Sequence, residues 1–211
     1  TKPSTSIAFM QLVEQGKVAL TDPVAKYIPE FAKLGVFVAG GGNVPFVSRP
    51  PTTPMRIIDV LRHTTGFTYS FQERSNIDAA YRKTDVESWT KSTSQSFIDT
   101  LATIPLEFDP GTQWNYSVST DVLGVLVERI SGQTLPDYFR DHIFAPLGME
   151  DTFFTVPADK AARIPECFAY DAETKTKLFD KAGTESLWTK GWSFNSGGGG
   201  LYEPIHGSAP D

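Results

Sequence analysis

The 211-residue sequence predicts a helix-rich fold with minor β content, and three observations carry that prediction. Apolar residues recur at helical spacing in several separate stretches, most regularly from Val118 to Ile130. Helix punctuation frames those stretches: Gly16, Ser131-Gly132 and Pro146 to Gly148 at the ends, and Asp22-Pro23, Thr53-Pro54 and Thr134 at the starts. Nothing alternates strand and helix as a complete parallel-sheet domain does.

Taken in order, Ser4 to Gln15 holds Ile7, Phe9, Met10, Leu12 and Val13 with few polar positions, so it predicts a largely buried helix closed by a left-handed Gly16. Asp22 and Pro23 predict the cap and first turn of a helix over VAKYIPEF, stopped or kinked by Pro29. Residues 33 to 52, with Gly-Gly-Gly and Pro-Pro, read as a loop. Thr53-Pro54 then opens a helix over MRIIDVLRH. The stretch from Thr68 to Ser96 lacks steady periodicity and reads as a surface excursion. Phe97, Leu101 and Ile104 return to helical spacing, and PLEFDPGTQWNYS runs through turn chemistry into the regular helix with Val118, Val122, Val125, Leu126 and Ile130 inward. Thr134 caps a further helix through Ile143, and residues 152 to 180 read as short strands and turns.

Composition narrows the function. Apolar residues make up 40% and aromatics 12%, ample for a core. The net charge of -6 comes from 25 acids and 19 bases with no basic run, which argues against nucleic acid as a partner. No stretch reaches the ~20 apolar residues that cross a bilayer as a helix. The single cysteine, Cys167, excludes an internal disulfide; it has no second Cys or His at metal-ligand spacing and reads as a buried structural thiol. The N-terminus lacks the layout of a signal peptide, and compartment and oligomeric state stay open.

Two residues suggest chemistry. Lys2 stands at the edge of the first apolar helix, and Tyr116 ends an aromatic-polar turn, PGTQWNYS, just before the regular helix. Lysine and tyrosine are the pair that serves a serine nucleophile without histidine: a desolvated lysine takes the serine proton, and a tyrosine hydroxyl beside that cation passes it to the leaving group. A lone buried-helix lysine more often snorkels to solvent, so the inference needs the surrounding text.

That text, TKPSTSIAFMQLVEQGKVALTDPVAKYIPEF, TPMRIIDVLRHTTGF, PGTQWNYSVSTDVLGVLVERISGQTLPDYFRDHIFAPLGMEDTFF and NSGGGGL, resembles the serine β-lactamase and penicillin-binding-protein superfamily in its class C and family VIII esterase branch. The resemblance covers roughly residues 1 to 201. It implies an α/β, β-lactamase/transpeptidase-like fold, of which residues 1–201 represent a partial serine-hydrolase domain, mostly the helical domain with few strands. It further implies acyl transfer on a small-molecule ester or lactam, without metal or organic cofactor.

By the same resemblance Lys2 corresponds to the lysine of S-x-x-K and Tyr116 to the tyrosine of Y-x-N. Val118, Ser196 and Gly197 would face the substrate, while Arg62 and His63 are read as structural. The nucleophile belongs three residues before Lys2, upstream of Thr1, so the expectation is that these residues by themselves are inactive. Ser88-Trp89-Thr90-Lys91 does spell S-x-x-K, but its flanks are polar and about one such match arises by chance, so it reads as a decoy. Val118 stands where Y-x-N has Asn; losing that amide tilts the expectation from lactam or peptide toward ester substrates.

Residues 202–211, YEPIHGSAPD, read as a foreign-looking tail. They resemble a loop of the 3-isopropylmalate and isocitrate dehydrogenases, which leaves a remote NAD-dependent alternative, and His206-Gly207-Ser208 mimics a third hydrolase motif. A non-catalytic module that binds penicillin-like or acyl ligands is the remaining alternative.

Overall fold

A computed structural model describes residues 1–203; His206, Gly207 and Ser208 lie outside the described residues. The first helix, α1 (Lys2–Glu14), begins two residues before the expected Ser4. Pro3 suits the first helical turn, where a missing N–H costs nothing, and Gly16 follows the C-cap at φ +70°. Ala8, Phe9 and Leu12 are fully buried, and α1 lies along α5 (Ser119–Ser131), the regular helix anticipated from its stripe. Helix α5 is buried from Ser119 to Val127, and its C-cap is Gly132 at φ +76°.

Four expectations needed correction between these helices. VAKYIPEF is not an α-helix: Val24–Lys26 and Pro29–Lys33 are separate 3-10 turns, because Pro29 cannot donate to the turn before it and starts a new one. Asp22 accepts from the Ala19 N–H at 3.1 Å and the Tyr27 hydroxyl at 2.6 Å, so its side chain is engaged away from a helix cap. Residues 33 to 52 are not a loop either. They form an antiparallel hairpin, β1 (Val36–Gly41) with β2 (Val44–Arg49), in which Gly42 turns the chain at φ +67°. Two bulges interrupt its register, which is why regular alternation is hidden in the sequence. The Phe37 N–H donates to the Leu106 carbonyl at 2.8 Å and the Leu106 N–H to the Gly35 carbonyl at 2.8 Å, tying the hairpin to the core.

The predicted MRIIDVLRH helix shortens to α2 (Ile57–Leu61), because the buried Asp59 carboxylate accepts the Arg56 N–H and makes Arg56 the N-cap. The Thr68 to Ser96 stretch is the fourth correction. It contains α3 (Asn76–Thr84), closed at its start by a reciprocal Ser75–Asp78 capping box, with Ile77 and Tyr81 buried. Ion pairing explains the missed pattern: Asp78 faces inward and is held by Arg82 at 3.2 Å, so a charge occupies what reads as a core position.

Helix α4 (Ser94–Leu101) appears where Phe97 and Leu101 predict it. Thr134 caps α6 (Leu135–Phe139), which passes through a π-type turn at Arg140–Phe144 into α7 (Ala145–Leu147) and ends at Gly148. A second antiparallel hairpin, β3 (Cys167–Asp171) with β4 (Lys175–Asp180), fulfils the strand expectation for residues 152 to 180. Its strands are mostly exposed, and Cys167 is exposed with them, which corrects the buried-thiol reading. Tyr202 exchanges two backbone hydrogen bonds with Phe153, at 3.0 and 2.8 Å. Among the described residues, then, the molecule is a mostly helical body with two hairpins, a single apolar core running from α1 through α5 to Phe194, and no helix long and apolar enough to cross a membrane.

Candidate active site

The start of α1, the turn before α5 and the Ser196–Gly200 segment converge on one cavity of about 340 Å3. A larger, mainly apolar hollow of about 730 Å3 lies near Phe144, Phe153 and Trp192. It contains neither Lys2 nor Tyr116, so the chemistry points to the smaller one.

Lys2 Nζ donates to the Gly198 carbonyl at 2.6 Å and stands 5.0 Å from the Tyr116 ring centroid and 6.0 Å from that of Tyr69. The ammonium is thus wedged between a fixed carbonyl and two aromatic faces, a partly desolvated cation held in one direction. Tyr116 is 38% exposed, leaving its hydroxyl free to meet a ligand. Its ring is braced by His63 at 5.3 Å and Tyr69 at 5.0 Å, and its carbonyl accepts from Gln72 Nε2.

His63 anchors this turn. It occupies the left-handed region at φ 57°, and its Nδ1 accepts from the Ser117 N–H at 3.3 Å, which assigns the ring proton to Nε2, 3.4 Å from Thr120 Oγ1. Burial pushes the His63 pKa down from its ordinary value, and the Lys2 charge adds to the shift. The native state therefore binds fewer protons than the unfolded chain as pH falls below the free-histidine value of about 6.5, so stability declines across that window. We expect the melting temperature to drop between about pH 7.5 and pH 5.5, and His63→Asn to flatten that dependence. An unchanged slope in His63→Asn would place the titration elsewhere.

Asp121 sits in the first turn of α5, buried, and organises the other side of the cavity. Its Oδ1 accepts from Ser196 Oγ and from the Gly198 N–H at 3.1 Å, while Ser196 Oγ accepts the Gly199 N–H at 2.9 Å. Burial pushes its carboxyl pKa up; the hydrogen bonds from Ser196 and Gly198 and the Lys2 charge oppose the shift. Glycines allow the segment to come this close. A Cβ at Gly197 would lie 2.6 Å from the Thr120 carbonyl oxygen, and one at Gly198 would lie 2.5 Å from Asp121 Oδ2. Thr5 Oγ1 donates to the Gly197 carbonyl at 2.7 Å, locking the same strand of backbone to α1.

Of the residues singled out from sequence, Lys2, Tyr116 and Ser196 line the cavity together. Gly197 lies behind them, packed on α5, and Val118 is fully buried in the core at the N-cap of α5 and does not line the cavity. Ser88 and Lys91 take no part; Lys91 pairs with Asp85 at 3.2 Å on the surface. Asp121, Glu87, Tyr69 and Trp89 line the cavity without having been anticipated. Asp121 alone left a trace, as an acid interrupting the apolar run VSTDVLGVLV. Among the described residues no cluster of His, Cys, Asp and Glu is arranged to hold a metal ion.

A family model described as Beta-lactamase matches residues 1–202. An uncharacterized protein of Mycobacterium tuberculosis is 34% identical over 202 residues, 96% of this chain and 48% of its own length. Lovastatin esterase of Penicillium rubens is 32% identical over 156 residues, 73% of this chain and 38% of its own, and further relatives are named acyltransferase, esterase or putative D-alanyl-D-alanine carboxypeptidase. Among solved structures, a mutant of simvastatin synthase from Aspergillus terreus shares the fold with a TM-score of 0.76 at 24% identity, over 96% of this chain and 46% of its own. The chain spans about half the length of the curated relatives it matches.

Proposed function

The chain belongs to the Beta-lactamase family, and from that premise we propose that it carries the proton-handling half of a serine acyl-transfer site acting on esters. The single observation behind this reading is the meeting of Lys2 and Tyr116, ammonium 5.0 Å from ring, in a cavity closed by the Ser196–Gly199 backbone. In the proposed mechanism a serine three residues before Lys2 attacks the acyl carbon. Lys2, entering this step as the neutral amine, takes the hydroxyl proton and becomes the ammonium; Tyr116 gives its hydroxyl proton to the departing alkoxide and regains one from Lys2. Backbone N–H groups stabilise the oxyanion, and water or another acceptor removes the acyl group. Ser196 and the glycines beside it form the wall along which substrate lies.

On this reading the 211 residues by themselves form no acyl-enzyme, since the serine position is not among them. Ester rather than lactam is favoured because, among the described residues, no Asn or Gln side chain lines the cavity, Val118 being buried away from it, and a site lacking such a polar partner loses discrimination for a substrate amide. The test is hydrolysis by the full-length gene product. Its kcat/KM for p-nitrophenyl butyrate is expected to exceed that for nitrocefin by about 10²-fold. A preference for nitrocefin reverses the assignment to esters, and turnover of neither removes acyl transfer altogether.

A further inference from the structure

The aromatic lining of the cavity, of which Tyr69 also flanks Lys2, is unusual for a simple acyl pocket. Tyr69 stacks on Phe71 at 4.9 Å, and Phe97 stacks on Phe194 at 4.8 Å, so two pairs of parallel rings border one space. Trp89 completes it; its ring edge lies where a Cβ on Gly199 would come within 3.3 Å, and its carbonyl accepts the Phe194 N–H at 3.1 Å. Into this aromatic space faces Glu87.

Glu87 is half-buried and poorly matched by the protein. Among the described residues its partners are confined to Ser70, whose N–H donates to Oε1 at 2.6 Å, and no lysine or arginine forms an ion pair with it. The charges that act on it most are negative, Asp121 and then Asp85, and burial together with these acids pushes its pKa up. Lys2 shares the cavity but is committed to the Gly198 carbonyl. Asp121, the other acid, already accepts from Ser196 and Gly198. Glu87 is therefore the one acid lining this cavity whose hydrogen bonds come from a single neighbouring residue.

We infer that this cavity takes an acyl group whose apolar chain ends in an ammonium, with Glu87 as the ammonium's ion-pair partner and the surrounding rings as its cation-binding walls. A carboxylate drawn out of water without a counter-charge is costly, and a ligand cation relieves that cost. Aromatic faces attract the same cation and exclude water around it. A neutral chain would fill the rings but leave Glu87 desolvated and unpaired. An anionic chain would meet Glu87 and Asp121 with like charge, and Lys2, the cation in the cavity, is already held by the Gly198 carbonyl and the Tyr69 and Tyr116 rings. The inference rests on the acyl-transfer reading only in calling the bound group an acyl group.

The test is equilibrium binding to the 211-residue chain, followed by tryptophan fluorescence and calorimetry at neutral pH. The probes are 4-phenylbutylamine, 4-phenylbutan-1-ol and 4-phenylbutyrate, which share one aryl chain and differ in charge. The amine is expected to bind about ten-fold more tightly than the alcohol, the anion most weakly, and Glu87→Gln to bring the amine to the level of the alcohol. Should Glu87→Gln fail to fold, the amine-over-alcohol preference of the unaltered chain must still shrink as salt is raised. Equal binding of amine and alcohol, binding of none of the three, a preference insensitive to salt, or a preference that survives Glu87→Gln overturns the inference. Failure here is separable from failure of the acyl-transfer reading: amine binding without ester turnover in the full-length protein removes only the latter, and ester turnover without amine preference removes only the former.

Discussion

Tyr116→Phe in the full-length gene product is expected to lower kcat/KM for p-nitrophenyl butyrate by about 10²- to 10⁴-fold, the usual worth of a positioned proton carrier. The substitution removes one oxygen and keeps the ring that His63 and Tyr69 brace, so fold and substrate binding are expected to stay intact and the loss to fall on kcat rather than KM. Lys2→Met removes the other carrier while retaining a chain of similar length. If the two act as one unit, the double variant falls little further than either alone. A Tyr116→Phe enzyme within about three-fold of the unaltered one would withdraw the relay role from this tyrosine, leaving the cluster a packing arrangement.

The largest stability effect is expected at the helix that carries Lys2. Phe9 is fully buried on α1 where that helix lies along α5. Phe9→Ala removes a ring that the surroundings cannot close over, a change that costs about 3–5 kcal/mol. Against a typical domain stability of about 5–15 kcal/mol, that leaves the 211-residue chain marginal. Denaturant unfolding checks the value, with Met10→Ala as the comparison: Met10 is 42% exposed on the same helix and is expected to cost under about 1 kcal/mol. Equal losses at the two positions would contradict the packing of α1 described above. Because α1 also fixes the direction of Lys2, the same variant is expected to loosen the Lys2–Gly198 hydrogen bond before the core unfolds.

Helices α1, α4 and α5 were legible because their signals are local: apolar residues at helical spacing, with a glycine or serine-glycine stop after α1 and α5. The 36–49 hairpin was hidden by its own irregularity, two bulges and a glycine-rich turn that resemble a loop in one dimension. Helix α3 was hidden by Asp78, whose burial is tolerated because Arg82, one turn along the same helix face, pairs with it and the Arg74 and Ser75 N–H groups donate to it. Cys167 shows the reverse error: a residue type usually buried lies exposed on a hairpin whose strands mostly face solvent.

The site divides in the same way. Lys2 and Tyr116 were singled out from the sequence alone, because their residue types and the family resemblance of the text around them point to a proposed proton-transfer pair. Their meeting depends on α1 lying against α5, a packing that no stretch of sequence records. Asp121, Glu87, Tyr69 and Trp89 belong to the site only through that packing, since they come from separate elements and share no spacing. Local pattern thus determined α1, α4 and α5 and pointed to the residues proposed to handle protons. Only the tertiary structure decided which acids and rings surround them, because burial and desolvation, the properties that make Asp121 and Glu87 unusual, exist only once distant segments have closed over one another.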